Sequence, residues 1–282
     1  MFTLSVQNEY GERLELTNNP AYVITSVEGL EPPDATINTT EDAVGDGSVF
    51  NSAFIQNRLI TITLAINYPA EQNRLALFRY CKIKRPCRVW YANDTLDVYA
   101  DGYVQNYPAV GYFEKKQVVQ ISILCPNPYF TAVEQSETKF SHVVNNFEFP
   151  FSIESPVAFS YIVADTTRSV VNHGDAETGA LIKILATGAA TVPKVTNAAT
   201  GEYFEVDTTL AAGDVLLIDT RSKMKGVWLI SGGVKTNMIG YMTFGSTWFQ
   251  LIPGDNVFAI SAQSGGDALI CAFTIDEHFT GV

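Results

Sequence analysis

Leu59-Ile60-Thr61-Ile62-Thr63-Leu64-Ala65-Ile66 is the stretch that decides the fold class. Ile60, Ile62, Leu64 and Ile66 fall on one side of an extended chain, and Thr61 and Thr63 on the other. A two-residue period of this kind is a strand with one buried face. Val119, Ile121 and Ile123, with Gln120 and Ser122 opposite, repeat the pattern. Tyr22 to Val27, Arg88 to Tyr91 and Tyr99 to Val104 are shorter candidates. One helix interrupts the strands, from Pro69 to about Ile83. Pro69 suits a first helical turn, where its missing N–H has no partner to lose. Leu75, Phe78 and Lys82, joined by Leu77 and Cys81, make a one-sided stripe for packing on a sheet. Pro86 prevents further continuation.

Working outward, Cys125-Pro126-Asn127-Pro128-Tyr129-Phe130 closes a strand with two prolines, and Thr131 to Lys139 is polar without a period. A domain junction is expected there, dividing the chain into residues 1–134 and 135–282. The second part reads as short strands: Ala180 to Ala186, Tyr203 to Val206, Val215 to Asp219, Val227 to Ile230, Thr247 to Leu251, Val257 to Ser261 and Leu269 to Ile275. Glycine-rich turns separate them, at Gly213-Asp214, Gly232-Gly233, Pro253-Gly254 and Gly265-Gly266. That rhythm predicts a β-sandwich.

Composition narrows the function classes. The 282 residues are 46% apolar and only 17% charged, with a net charge of −12 from 30 acidic and 18 basic side chains. A sequence-independent nucleic-acid binder needs a basic face. The densest basic group, Lys82, Lys84, Arg85 and Arg88, reads as a solvated helix end that complements the helix dipole. Cys81, Cys87, Cys125 and Cys271 form no C-x-x-C pair and have no histidine at zinc-ligand spacing, which predicts reduced core cysteines and no metal. A Cys81–Cys87 pair would require the intervening chain to fold back on itself. The opening Met1-Phe2-Thr3-Leu4-Ser5 has no signal-peptide pattern, and no stretch approaches the roughly 20 apolar residues of a membrane span. The expectation is a protein without export signal or membrane anchor.

Catalytic constellations are not found. His142, His173 and His278 stand in unrelated contexts, and there is no zinc helix or nucleophile elbow. Gly45-Asp46-Gly47-Ser48 lacks the phosphate-loop lysine and reads as a loop or hairpin tip. Asp94, Asp97 and Asp101 are close in sequence but flank turns, where Asp is ordinary; carboxylate pairs that cleave glycosides are defined by a separation of about 5 to 9 Å in space. Trp90-Tyr91, Trp228 and Trp248-Phe249 are assigned to strands, with one ring of each adjacent pair inward. Catalytic, cofactor-binding and metal residues: none is assigned, and the chain is not expected to be an enzyme.

A resemblance emerges from the motifs together. The run Ile24-Thr25-Ser26-Val27-Glu28-Gly29-Leu30-Glu31-Pro32-Pro33, then Asp46 to Ser52, the strand from Arg58, the helix with Arg74, Leu75, Phe78 and Lys82, Gly102-Tyr103-Val104, and Gln120 to Phe130 resemble the N-terminal domain of the distal tail protein family of long-tailed bacteriophages. Asn172-His173-Gly174-Asp175-Ala176-Glu177-Thr178-Gly179, the Asn197 to Gly201 turn, Leu210 to Asp214 and Leu251 to Asn256 are similar to that family's C-terminal domain. The resemblance implies a mainly β protein: an N-terminal sandwich- or barrel-like ring domain with one α-helix, then a galectin-like β-sandwich projecting outward. It implies a structural virion protein that forms a homo-hexameric ring at the tail tip. That ring joins the tail tube protein above to the tail-tip hub below, anchors receptor-binding proteins, and lets DNA pass without specific binding. Such a protein is synthesised and assembled in the host cytoplasm. Ring closure is expected to use the N-terminal strands and the loop from Gly45 to Asn51. The competing readings are a glycan-binding module for host-surface adhesion, which needs an aromatic platform with polar groups, and a cell-wall hydrolase using Asp97 or Asp101.

Overall fold

The computed structural model describes residues 2–41, 45–108, 117–145, 160–164 and 166–282, with the side chains of 142–145 and 160–164 left out. The chain divides into two compact units. The first is Met1–Glu134 together with His278–Val282; the second is Gln135–Glu277.

In the first unit a single antiparallel sheet runs in the order Arg13–Glu15, Thr3–Gln7, Pro86–Ala92, Asp97–Asn106, Gln117–Cys125, Arg58–Ile66 and Tyr22–Glu28. Toward one edge of it lie the two strands whose alternation is strongest in the sequence. Ile60 faces Ile123, Ile62 faces Ile121, and Leu64 faces Val119, and all six are fully buried. Cross-strand aliphatic pairs are the unit of sheet stability, so this register is pinned from both sides. Phe130–Ala132 pairs with Asp97–Asn106 and also with His278–Phe279, which brings the last residues back into the first unit.

The helix spans Ala70–Tyr80, shorter than the sequence suggests, with Pro69 as its N-cap. It ends where Cys81 leaves helical geometry and its carbonyl accepts the Tyr107 hydroxyl at 2.5 Å. The buried face is also rotated from the expected one: Arg74 and Leu77 are buried, while Leu75 is exposed. Arg74 is buried with its guanidinium 5.7 Å from the Phe78 ring centroid and bonded to Glu71 at 2.5 Å. Pro86, expected only to stop the helix, begins the next strand.

Arg58, at the head of the strand Arg58–Ile66, is 1% exposed. Its Nε donates to the Pro128 carbonyl (2.7 Å) and its Nη1 to the carbonyls of Gly29 (2.5 Å) and Glu31 (2.9 Å), while Nη2 donates to the Thr280 carbonyl. The guanidinium lies 4.3 Å from the Phe130 ring centroid. Gly29 has φ +87°, and a Cβ there would sit 2.0 Å from the Leu59 carbonyl oxygen, so only glycine lets the turn come this close to the strand. Val282 N–H then bonds the Leu30 carbonyl at 3.0 Å.

The second unit is a two-layer sandwich. One sheet runs Ser160–Ala164, Ser136–Asn145, Leu269–Ile275, Ala180–Ala186, Val215–Asp219, Gly226–Ser231, Val234–Asn237; the other runs Thr167–Asn172, Gly254–Ser264, Ala190–Asn197, Tyr203–Glu205, with Thr209–Leu210 beside Ala190–Asn197. Phe140, Ile182, Ile184, Leu216 and Phe273 from the first layer meet Val195, Phe204, Phe258 and Ile260 from the second. Two expectations are corrected here. Thr247 to Leu251 is not a strand; only Leu251 bridges to Thr178. The polar stretch 131–139 also holds strand: Thr131–Ala132 and Ser136–Lys139 are paired with neighbouring strands, with residues 133–135 between them.

Replacing Arg58 with Met removes the donor shared by four carbonyls and leaves them buried. The variant is expected to lose about 3 kcal/mol from the unfolding of the first unit, read as a lower urea midpoint.

Candidate assembly surface

The stretch Ala35 to Ile55 is rich in Thr, Asn and Ser, with no set of residues suited to its own core. It folds as a two-stranded hairpin, Ala35–Glu41 against Ser48–Ile55, with Gly45-Asp46-Gly47 toward its tip. Among the described residues neither strand pairs with any other sheet. Side-chain bonds cross it: Asn38 Nδ2 to Ser52 Oγ at 3.0 Å, Asn51 Nδ2 to Thr40 Oγ1 at 2.6 Å, and Gln56 Nε2 to Thr36 Oγ1 at 2.8 Å. The register puts these on one face, with Phe54 and Val49. The other face carries Ala35, Ile37, Thr39, Phe50, Ala53 and Ile55, with Glu41 and Ser48 at its far end. Ile37 is 64% exposed and Phe50 63%. An isolated two-stranded hairpin is marginal in water, and a contiguous exposed apolar face marks an interaction site. The arm is also acidic. Residues 34–56 include Asp34, Glu41, Asp42 and Asp46 and no Lys or Arg.

The residues singled out in the sequence are dispersed. Lys82 and Arg85 both reach Glu9, at 4.0 and 3.5 Å. Arg88 lies on a strand, not a helix end, and grips Asp101 through two bonds of 2.6 and 2.9 Å. That occupies one of the three clustered aspartates, while Asp97 opens a strand. His173 is exposed and bonded to Glu277 at 2.7 Å, His278 stacks on Tyr129 at 5.5 Å, and the side chain of His142 lies outside the described residues. No group of three or more His, Cys, Asp or Glu among the described residues is placed to hold a metal ion.

The rings follow alternation. Tyr91 and Phe249 point inward; Trp90 lies outward between Arg13 (4.6 Å) and Arg88 (5.5 Å), and Lys235 covers Trp228 at 4.4 Å. All four cysteines are buried thiols. The connection after the helix does fold back, because the thiols of Cys81 and Cys87 share a hydrogen bond, which with burial pushes the Cys87 thiol far up. Burial pushes Cys125 up to about 12. Sequence reasoning missed the hairpin strands, whose signal was confined to the glycines of the tip.

Residues 173–274 match the siphovirus-type tail component family in its C-terminal domain. Over 99% of both chains the protein superposes on the Dit protein of SPP1, described as a paradigm of the hub adsorption apparatus in phages that infect Gram-positive bacteria, with a TM-score of 0.68 and 13% identity. A chain of the phage P2 baseplate in its activated conformation with calcium aligns over the full length of both, with a TM-score of 0.49 and 12% identity. No curated protein matches by sequence. The resemblance to distal tail proteins therefore holds: residues 173–274 match that family's C-terminal domain and the whole chain has the Dit fold.

Around Cys81 the tyrosines provide a measurable pH limit. Burial, with smaller contributions from Cys81 and other neighbours, raises the Tyr80 hydroxyl from 10.0 to about 12, and burial also raises Tyr107 and Tyr22. The neutral hydroxyls donate to carbonyls, Tyr22 to Asn73 at 3.0 Å, and ionisation removes those donors. Their contribution to stability is complete below pH 10 and is lost as pH rises toward 12 and beyond. The urea midpoint of the first unit is expected to fall over that interval, and an absorbance titration is expected to show tyrosine ionisation continuing above the ordinary value of 10.0.

Proposed function

We propose that the protein is a structural subunit of the virion tail that closes head-to-tail into a homo-hexameric ring at the distal end. The ring lies between the tail tube and the tail-tip hub, and the chain has no catalytic role. The observation that carries this reading is the solitary hairpin Ala35–Glu41/Ser48–Ile55. An arm that exposes Ile37, Phe50 and Ile55 on one face gains its stability from a neighbour. A second copy supplies a complementary surface: the arm is acidic, and the first unit carries Arg79, Lys82, Lys84 and Arg85 at the end of its helix. A patch meeting a different patch is the heterologous contact that generates a closed ring. Open sheet edges such as Tyr22–Glu28 are likewise protected when a neighbour covers them.

The net charge of −12 favours a channel that repels DNA rather than holding it. The second unit, a tail-component domain, is assigned the contacts to receptor-binding proteins. Free buried thiols fit synthesis and assembly in the host cytoplasm, before the subunit takes its place in the virion.

Light scattering tests the ring. The wild-type chain is expected at six times its 30.9 kDa mass. Ile37→Asp combined with Phe50→Ser is expected at the mass of one chain, with an unchanged circular dichroism spectrum and melting temperature. A variant that keeps the wild-type mass would exclude the arm from the interface. A wild-type chain that stays monomeric at high concentration would argue against the ring.

A further inference from the structure

A groove of about 290 Å³ opens in the second unit between the Asn197 turn and the segment Trp248 to Asn256. One wall is the Trp248 indole, half-buried, with its ring supported by Phe204 at 4.8 Å. The floor is polar. Asn256 is buried and saturated: its Oδ1 accepts the Ile252 N–H at 3.0 Å, and its Nδ2 donates to the carbonyls of Ile252 and Gly254. Asn197 is equally buried, at 4% exposed, but not saturated. Its Oδ1 accepts the N–H groups of Ala199 (3.0 Å) and Thr200 (3.3 Å), which fixes the orientation of the amide. Its Nδ2 therefore lines the groove as a donor with no acceptor among the described residues. Glu202 stands beside it with one carboxylate oxygen on Thr200 Oγ1 at 3.1 Å, and Glu177 is exposed at the rim.

Only some ligands satisfy this set. An anion meets the carboxylates of Glu177, Glu202 and Asp255. A cationic amine pairs with those carboxylates but has no lone pair for the Asn197 donor. An apolar ligand leaves that buried donor unpaired. A sugar ring lays its C–H face on the indole, and its hydroxyls both accept from Asn197 Nδ2 and donate to Glu202. We propose that this groove is a binding site for an uncharged saccharide. The site is independent of the hairpin and of ring closure.

The test is saturation-transfer NMR, with tryptophan fluorescence alongside, on the full chain titrated with glucose, galactose and N-acetylglucosamine to about 50 mM. Saturable binding with a dissociation constant on the order of 1–10 mM is expected for at least one sugar. Glu202→Gln and Trp248→Phe, which keep the size of the side chain or its apolar packing, are each expected to weaken it about tenfold. Asn197→Asp keeps the acceptor for the turn and removes the free donor, and it is expected to abolish binding. Unchanged melting temperatures separate these effects from misfolding. The proposal is overturned by absence of saturable binding for all three sugars, by affinity unchanged in both Glu202→Gln and Trp248→Phe, or by butylammonium binding more tightly than any sugar.

Discussion

The buried guanidinium of Arg58 is the constraint on which the first unit depends. A charge taken out of water is costly unless its donors are used. Here they are used on four carbonyls from three places far apart in sequence: the Gly29–Glu31 turn, Pro128, and Thr280 at the other end of the chain. Burial lowers the readiness of the guanidinium to hold its proton, while Glu31 and Cys125 nearby oppose that. The group thus fixes the strand that carries Ile60, Ile62 and Leu64, and with it the register against Gln117–Cys125. The same turn leads directly into Asp34 and Ala35, the root of the projecting hairpin, so the arm starts from a rigid base.

Sequence pattern exposed the parts of the fold that bury a face. Ala180–Ala186, Val215–Asp219 and Leu269–Ile275 have the bounds that their alternation suggests, since each supplies every second residue to the sandwich core. Ala35–Glu41 was illegible for the opposite reason: it buries nothing within this chain, so no periodicity is written into it. The expected helix stripe of Leu75, Phe78 and Lys82 left out Arg74, whose guanidinium, bonded to Glu71, sits inside. Arg58 appeared as merely the first residue of a strand. Its importance lies in carbonyls, which carry no residue identity and leave no trace in a sequence.

The same limit applies to the groove. The turn at Asn197 is readable, because Asn tolerates such geometry and bonds its own backbone. Its second role is not, since Trp248 stands fifty residues further on and meets it only through the sandwich. The hairpin and the groove illustrate two kinds of incompleteness. The arm lacks apolar cover over a broad face, which suits a protein neighbour. The groove lacks a single acceptor at a buried point beside an aromatic wall, which suits a small polar molecule. Large apolar deficits and small polar ones call for different partners.

The return of His278–Val282 to the first unit makes residues 135–277 an insertion between two segments of a single fold. Domains added at a chain end are exchanged through one crossover, whereas this one is bounded by two. Recombination between related genomes would therefore have to replace the second unit as a cassette with both junctions matched, or lose the strand that closes the first. A chimera with one crossover near residue 134 would inherit a foreign closing segment for Arg58 to hold. Because that grip is on backbone carbonyls, it sets few demands on the identity of the incoming residues, and diversification of the second unit can proceed without redesign of its host.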